Sequence, residues 1–271
     1  MPRLGVIGWP VAHSRSPAMF RAAFAACGMR DWSYQRLPLP PDLFEETTRA
    51  LPGAGFAGAN VTIPHKQSAL ALAGKASEAA TAIGAANTLT FAPDGSIAAE
   101  NTDAPGLIAA LGRSPKGMSA LVLGAGGSAR AAVWALMRAG AAEVSVCNRT
   151  HERAGALARE LGARAVSEPA QADLLVNCTS VGLERSASEA VALNQLGLTA
   201  DQVGGYPYVV DLVYRNGPTP LLAAARARGV TTVGGLDVLV AQGALSFELW
   251  TGRKAPLDAM RRGAGIEEAG E

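Results

Sequence analysis

Cysteine is scarce in this chain, with Cys27, Cys147 and Cys178 the only ones, and that scarcity excludes two kinds of scaffold. They are far apart, odd in number and set in apolar surroundings, a pattern of reduced core residues that builds neither a disulfide framework nor a metal centre. No metal is expected. An excess of charge of one sign is also missing, since Lys and Arg total 24 against 23 for Asp and Glu. With a formal net charge of +1 and no basic run, nothing points to a polyanionic partner such as nucleic acid, and the expected partner is a small molecule. No apolar run is both long and unbroken enough to span a bilayer, so no membrane partner is expected either. The opening MPRLGVIG goes straight into a strand-like pattern without the regions of a signal peptide, which makes the cytoplasm the expected compartment.

Alanine and glycine are abundant instead, at mild mean hydropathy, as in small-residue helices packed on a sheet. The 271 residues suffice for two domains and a substantial core. Strand-like runs at Arg3–Gly8, Trp32–Leu37, Gly58–Thr62 and Asn87–Phe91 alternate with helical stretches near Pro17–Cys27, Asp42–Leu51, His65–Ala73 and Ser77–Ile83. A second α/β unit begins after Asp103, with a helix over Ala104–Leu111 and strands near Ala120–Leu123, Glu143–Cys147, Asp173–Asn177 and Tyr208–Val213. Gly112–Gly117 and Gly204–Pro207 read as loops of that unit. A long helical pattern over Gly235–Gly252 and a shorter one over Pro256–Arg262 close the chain.

The segment Gly124, Ala125, Gly126, Gly127, Ser128, Ala129 follows the strand at Ala120 and opens a helix at about Ser128. That strand, turn and helix is what a dinucleotide pyrophosphate needs. Gly124 permits the tight turn, Gly126 lets phosphates approach the backbone, and Ala129 lets the helix pack close to the strand. Free N–H groups of the first helical turn face the phosphates. An NAD site would place an acid about 20 residues on to hold the ribose 2′-hydroxyl. This chain has Asn148, Arg149 and Thr150 there, a cation and two neutral polar groups that suit a 2′-phosphate. NADP is therefore expected over NAD.

The other polar clusters sit at strand ends. In GWPVAHSRSP, Ser14 and Ser16 are two apart; in an extended segment they project to one side and can jointly donate to a carboxylate. Ser16 before Pro17 also reads simply as a helix N-cap. GANVTIPHK places Asn60, Thr62 and Lys66 at the end of an apolar strand, with Pro64 opening a helix. A lysine in the first turn is opposed by the positive end of the helix dipole, which is how a proton-transfer lysine would be tuned, although a lone lysine is more often a solvated surface residue. GAANT and ENTDAPG add Asn87 and Asp103, the latter readable as a helix N-cap.

GWPVAHSRSP, GANVTIPHK, IGAANT, ENTDAPG, LGAGGSA, NRT, NCTSVG, DLVYRNGPTPLL and LVAQGALSFELWTG occur in an order and at spacings that resemble the shikimate dehydrogenase family over Gly5 to about Gly252. The resemblance implies an α/β protein of two domains. A substrate-binding and catalytic domain would span 1–102 and 236–271, with the C-terminal helices returning to it, and a Rossmann-type, doubly wound NADP-binding domain would span 103–235. It implies reversible NADPH-dependent reduction of 3-dehydroshikimate to shikimate, EC 1.1.1.25, in chorismate and aromatic amino acid biosynthesis, by a monomer or homodimer. By the same resemblance Lys66 and Asp103 flank the reacting hydroxyl, with Lys66 donating to the ketone oxygen. Ser14 and Ser16 bind the carboxylate, and Asn60, Thr62, Asn87 and Gln242 contact the carboxylate or ring hydroxyls. Tyr214 lies near substrate and nicotinamide; Thr179 and Gly235 belong to the cofactor side. Arg153, one helical turn beyond Arg149, completes the phosphate clamp with Asn148 and Thr150.

The chain departs from the family pattern at Phe20 and Arg21, where histidine and asparagine are usual, at Ala99 for glycine and at Val238 for methionine. Phe20 and Arg21 bear on helix packing or a subunit contact. These departures leave room for a relative acting on quinate or an amino analogue of shikimate; the alternatives are a quinate or quinate/shikimate dehydrogenase using NAD and, as a non-enzyme, a catalytically silent nucleotide-binding regulator.

Overall fold

The computed structural model describes residues 1–184 and 188–266. It divides into two compact units, one of Met1–Gly106 together with the chain from Leu239 onward, the other of Leu107–Val238. The last residues of the C-terminal expectation, 267–271, lie outside the described residues.

In the first unit β1 (Arg3–Gly8), α1 (Ser16–Ala26), β2 (Ser33–Pro38), α2 (Phe44–Ala50) and β3 (Phe56–Val61) alternate as the sequence suggests. They are followed by α3 (Lys66–Leu72), β4 (Lys75–Ala76), α4 (Glu78–Ile83), β5 (Thr88–Phe91), β6 (Ile97–Glu100) and the start of α5 (Asp103–Leu111). The sheet order is β2-β1-β3-β5-β6-β4. β1 pairs in parallel with β2 and β3, whereas β5 runs antiparallel to both β3 and β6. β6 is a strand that the sequence pattern does not mark; it is the return arm of a hairpin whose turn is closed by Pro93, Asp94 and Gly95, the last at φ +83°. On β1, Leu4 and Val6 join one core with Met19 and Phe20, while Ile7 joins another with Phe44, Ala59 and Leu89, the two-sided burial that period-2 alternation produces.

The second unit contains β7 (Ser119–Leu123), α6 (Gly127–Arg138), β8 (Glu143–Cys147), α7 (His151–Leu161), β9 (Arg164–Val166) and β10 (Leu174–Asn177). It continues with α8 (Glu189–Gln195), α9 (Ala200–Gly204), β11 (Tyr208–Asp211), α10 (Pro220–Arg226) and β12 (Thr231–Val233). Gly204, expected in a loop, is the last residue of α9. All strands are parallel in the order β12-β11-β10-β7-β8-β9, the doubly wound arrangement. Ala120 and Val122 face one core and Leu121 and Leu123 the other, so β7 reads as an unbroken apolar run because helices cover both faces.

The chain ends with α11 (Gly235–Thr251) and α12 (Leu257–Ala264). In the first unit α12 packs on α1 where a Cβ on Gly263 would come within 2.8 Å of the Ala18 carbonyl; glycine alone allows that approach. Among the described residues no helix is long and apolar enough to cross a membrane.

Candidate active site

Lys66 is brought to its place by the way β3 ends. The Thr62 N–H donates to the Ile7 carbonyl at 2.8 Å, the chain turns as the His65 N–H donates to the Thr62 carbonyl at 3.0 Å, and α3 starts at Lys66. Its Nζ donates to Asp103 Oδ2 at 2.6 Å, and both side chains are largely buried, 11% and 18% exposed. The other oxygen, Oδ1, accepts from Asn87 Nδ2 at 2.8 Å. Asn87 is fixed in turn: its Oδ1 accepts from the Thr102 N–H at 2.7 Å and its Nδ2 reaches Gln242 Oε1 at 3.1 Å. Gly106 makes that last contact available, because a Cβ there would lie 2.7 Å from Gln242 Cβ. Asp103 is not the cap the sequence suggested. Asn101 Oδ1 accepts from the Ala104 N–H at 3.1 Å, which leaves the Asp103 carboxylate to the lysine.

Behind this pair lies a buried hydroxyl and amide network. Asn60 Nδ2 donates to Ser246 Oγ at 2.9 Å, and its Oδ1 accepts from Tyr34 Oη at 2.8 Å. Ser246 Oγ is also within 2.9 Å of Thr88 Oγ1 and 3.1 Å of Thr102 Oγ1. Asn60 therefore has both ends of its carboxamide engaged inside the protein. Phe20, the unusual residue on α1, is fully buried and stacks on Tyr34 with ring centroids 4.3 Å apart.

Ser14 and Ser16 are buried, but not in an extended segment. The Ser14 N–H donates to the Val11 carbonyl at 3.1 Å, closing a turn, and Ser16 is already the first residue of α1 rather than its cap. The Ser16 N–H donates to Ser14 Oγ at 3.3 Å, and Arg36 pins the turn by donating to the Ser14 carbonyl at 2.7 Å. Thr62 is half-buried, its methyl lying where a Cβ on Gly8 would stand. Burial, then the Arg36 charge, lowers the His13 pKa. His65, beside Lys66, stacks on Phe44 and bonds the Leu39 carbonyl at 2.7 Å; burial lowers its pKa against the opposing effect of that bond.

In the second unit Gly124 has φ +110°, a conformation that glycine adopts without strain. Around Gly126, its own chain neighbours aside, no atom of the described residues lies within 4 Å of where a Cβ would be. α6 then begins at Gly127, and Ala129 is fully buried. A turn of this shape, open above Gly126 and leading into the N-terminus of α6, fits a dinucleotide pyrophosphate. After β8, Asn148 Nδ2 donates to the Thr150 carbonyl at 2.9 Å, and Arg149 and Arg153 are exposed. Arg149 precedes the Thr150 cap of α7, so the two arginines flank a helix start instead of lying one turn apart on it. Thr179 and Tyr214 are half-buried in the loops after β10 and β11. Gly235 is buried where a Cβ would meet the Leu212 carbonyl at 2.5 Å, so close packing already requires it. Among the described residues no group of His, Cys, Asp and Glu is arranged to hold a metal ion.

Several polar residues carry this geometry without having been singled out from the sequence. Ser246 stands four residues after Gln242 on α11, and that helical spacing is the signal that marks it. Tyr34 and Arg36 give no such signal. Asn177, Asp211 and Thr219 lie in motifs already noted, NCTSVG and DLVYRNGPTPLL, as a linked set: Asp211 Oδ1 accepts from Asn177 Nδ2 at 2.9 Å and Oδ2 from Thr219 Oγ1 at 2.6 Å. Burial pushes the Asp211 carboxyl up to about 6, against the pull of Thr219, Val213, Asn177 and Arg215.

Comparison with known proteins bears on both units. The family model for the shikimate dehydrogenase substrate binding domain matches residues 6–89, that for shikimate / quinate 5-dehydrogenase matches 109–190, and that for the shikimate 5'-dehydrogenase C-terminal domain matches 235–262. The chain is 46% identical over 266 residues to a shikimate dehydrogenase (NADP(+)) of Methylobacterium radiotolerans, covering 93% of this chain and 92% of the relative. It is 43% identical over 270 residues to one of Paracoccus denitrificans, covering 95% and 93%. Among solved structures it is similar to shikimate 5-dehydrogenase from Thermus thermophilus in complex with NADP(H) and shikimate, with a TM-score of 0.86, 42% identity and 98% and 99% of the two chains covered.

Proposed function

The chain belongs to the shikimate dehydrogenase family, and from that membership we propose the role of each site residue. The activity is shikimate dehydrogenase (NADP(+)), EC 1.1.1.25, the reversible reduction of 3-dehydroshikimate to shikimate in aromatic amino acid biosynthesis. The buried pair of Lys66 and Asp103, 2.6 Å apart, is the observation that carries the assignment of chemistry.

When bound, NADPH supplies the hydride and the protein manages position and one proton. Lys66, as an ammonium, donates to the ring ketone oxygen and lets go of its proton as the alcohol forms. Asp103 holds the lysine in line and accepts a hydrogen bond from the substrate hydroxyl, while Asn87 keeps the carboxylate from rotating. Ser14 and Ser16 receive the substrate carboxylate. Asn60, Thr62, Asn87 and Gln242 read the carboxylate or ring hydroxyls. Tyr214 belongs to the substrate and nicotinamide side. Gly124, Ala125, Gly126, Gly127, Ser128 and Ala129 would hold the pyrophosphate, Thr179 and Gly235 the adjoining part of NADP, and Asn148, Arg149, Thr150 and Arg153 the 2′-phosphate. Neutral donors and acceptors suit a small carboxylated polyol, which needs many directional bonds and little added charge.

We read the substrate domain as 1–102 with 236–271 and the NADP domain as 103–235. The setting is cytoplasmic and the assembly a monomer or homodimer, which sedimentation resolves. Initial rates with shikimate and quinate, each against NADP and NAD, test the reading. Shikimate with NADP is expected to give the highest kcat/KM; faster turnover of quinate with NAD overturns it.

A further inference from the structure

Asp211 is fully buried yet takes no part in the proton transfer or the phosphate clamp. Its strand is otherwise apolar, Val209 and Val210 being buried beside it, and packing alone would be served by another valine. A buried carboxylate is costly unless its acceptor positions are filled, and removing such a group in favour of an apolar one is often neutral or stabilising. What needs explaining is the identity of the donors that fill it.

They belong to the segments leaving β10 and β11. Oδ1 accepts from Asn177 Nδ2 at 2.9 Å and from the Val213 N–H at 3.0 Å, one residue before Tyr214; Oδ2 accepts from Thr219 Oγ1 at 2.6 Å. Asn177, held this way round, presents its own Oδ1 to the Thr179 N–H at 3.0 Å and the Thr179 hydroxyl at 2.7 Å. Thr179 abuts the glycine turn: a Cβ on Gly124 would lie 3.3 Å from Thr179 Cγ2 and 3.2 Å from the Cys178 carbonyl oxygen. On the other arm Thr219 Oγ1 accepts from the Leu222 N–H at 3.2 Å and caps α10. A continuous set of contacts thus runs from Thr219 through Asp211, Asn177 and Thr179 to Gly124.

We propose that Asp211 is a positioning residue for cofactor binding, locking Asn177 and through it Thr179 against the glycine turn so that the backbone receiving the dinucleotide is set in advance. The inference rests on the reading of the second unit as the NADP site. Three variants test it, with Arg149→Ala as the control on that reading. Asp211→Ala is expected to raise the KM for NADP about tenfold, the scale of effect that small misplacements produce, while the KM for shikimate stays within about twofold. Thr219→Val removes one donor and is expected to raise the KM for NADP about threefold. Asp211→Asn is expected to restore it to within about twofold of the natural protein, because the carboxamide oxygen still accepts from Asn177 and Val213 while its NH2 donates to Thr219 Oγ1.

An unchanged KM for NADP in folded Asp211→Ala and Thr219→Val overturns the proposal, as does an equal rise in both KM values, which marks a merely structural loss. If Asp211→Ala does not fold, Thr219→Val decides alone. Arg149→Ala separates the failures: if it raises the KM for NADP and the other variants do not, only this proposal falls. If it leaves that KM unchanged, the reading of the second unit falls and the proposal with it.

Discussion

Lys66 and Asp103 are each the first residue of a helix, α3 and α5, and their side chains meet at 2.6 Å. The two helix dipoles act oppositely on the pair: the N-terminus of α5 favours the carboxylate, and that of α3 opposes the ammonium. Asp103 thereby holds a cation that the lysine's own helix would repel, the group to which the proposed reading gives protonation of the ring ketone. Replacing Lys66 by Ala is expected to lower kcat by about 10³, within the range for a lost general acid, while shikimate binding stays measurable by calorimetry. Turnover near that of the natural protein would remove Lys66 from the mechanism.

Arg149→Ala tests the cofactor half in the same spirit. The guanidinium is exposed, and its expected contact is with the 2′-phosphate that NAD lacks. Losing a charged hydrogen bond of about 1.5–3 kcal/mol corresponds to roughly a 10- to 100-fold rise in the KM for NADP, with the KM for NAD little changed. The rise should shrink as ionic strength increases. An equal change in both constants contradicts the clamp.

How much of this is legible in the sequence depends on whether a residue's partner is local. The parallel strands β1, β7 and β8 and the turn at Gly124 follow from apolar runs and glycines close in sequence, and they stand where expected. Lys66 opens α3, whereas Pro64, expected to open that helix, lies in the turn before it. Asp103 and Ser16 read as caps because local rules assign a cap to the nearest suitable residue, whereas Asn101 takes that role in α5 and Ser16 is already inside α1. Tyr34 and Arg36 stay silent for a different reason. Their partners, Asn60 and Ser14, are 26 and 22 positions away, and no periodicity encodes such pairings.

Thr48 offers a stability test away from both sites. It is fully buried on α2, and among the described residues its Oγ1 has no hydrogen-bond partner. A buried hydroxyl left unsatisfied costs about 1–3 kcal/mol, and valine fills nearly the same volume without one. Thr48→Val is therefore expected to raise the unfolding free energy by about 1 kcal/mol in urea titrations, with kcat and both KM values unchanged. A lower unfolding midpoint would show that the hydroxyl finds a partner in solution.

Asp211 should leave a signature in the pH dependence of stability. Burial raises its carboxyl from 3.8 to about 6 in the folded protein, so the folded state binds that proton more tightly than the unfolded chain does. The stability this contributes is complete below the unfolded value of 3.8 and is lost as the pH rises through about 6. A separation of that size corresponds to about 3 kcal/mol. The protonated carboxyl also keeps its place in the network, since Thr219 Oγ can accept as well as donate. Asp211→Asn removes the titration and retains the shape. The difference in unfolding free energy, natural protein minus Asp211→Asn, is expected to fall by roughly 2 kcal/mol between about pH 4 and pH 7 and to stay level above that. Urea titrations of both proteins across this range measure it. A difference that does not change with pH would mean that Asp211 carries the same charge throughout, held ionised by Asn177, Val213 and Thr219 strongly enough to overcome its burial.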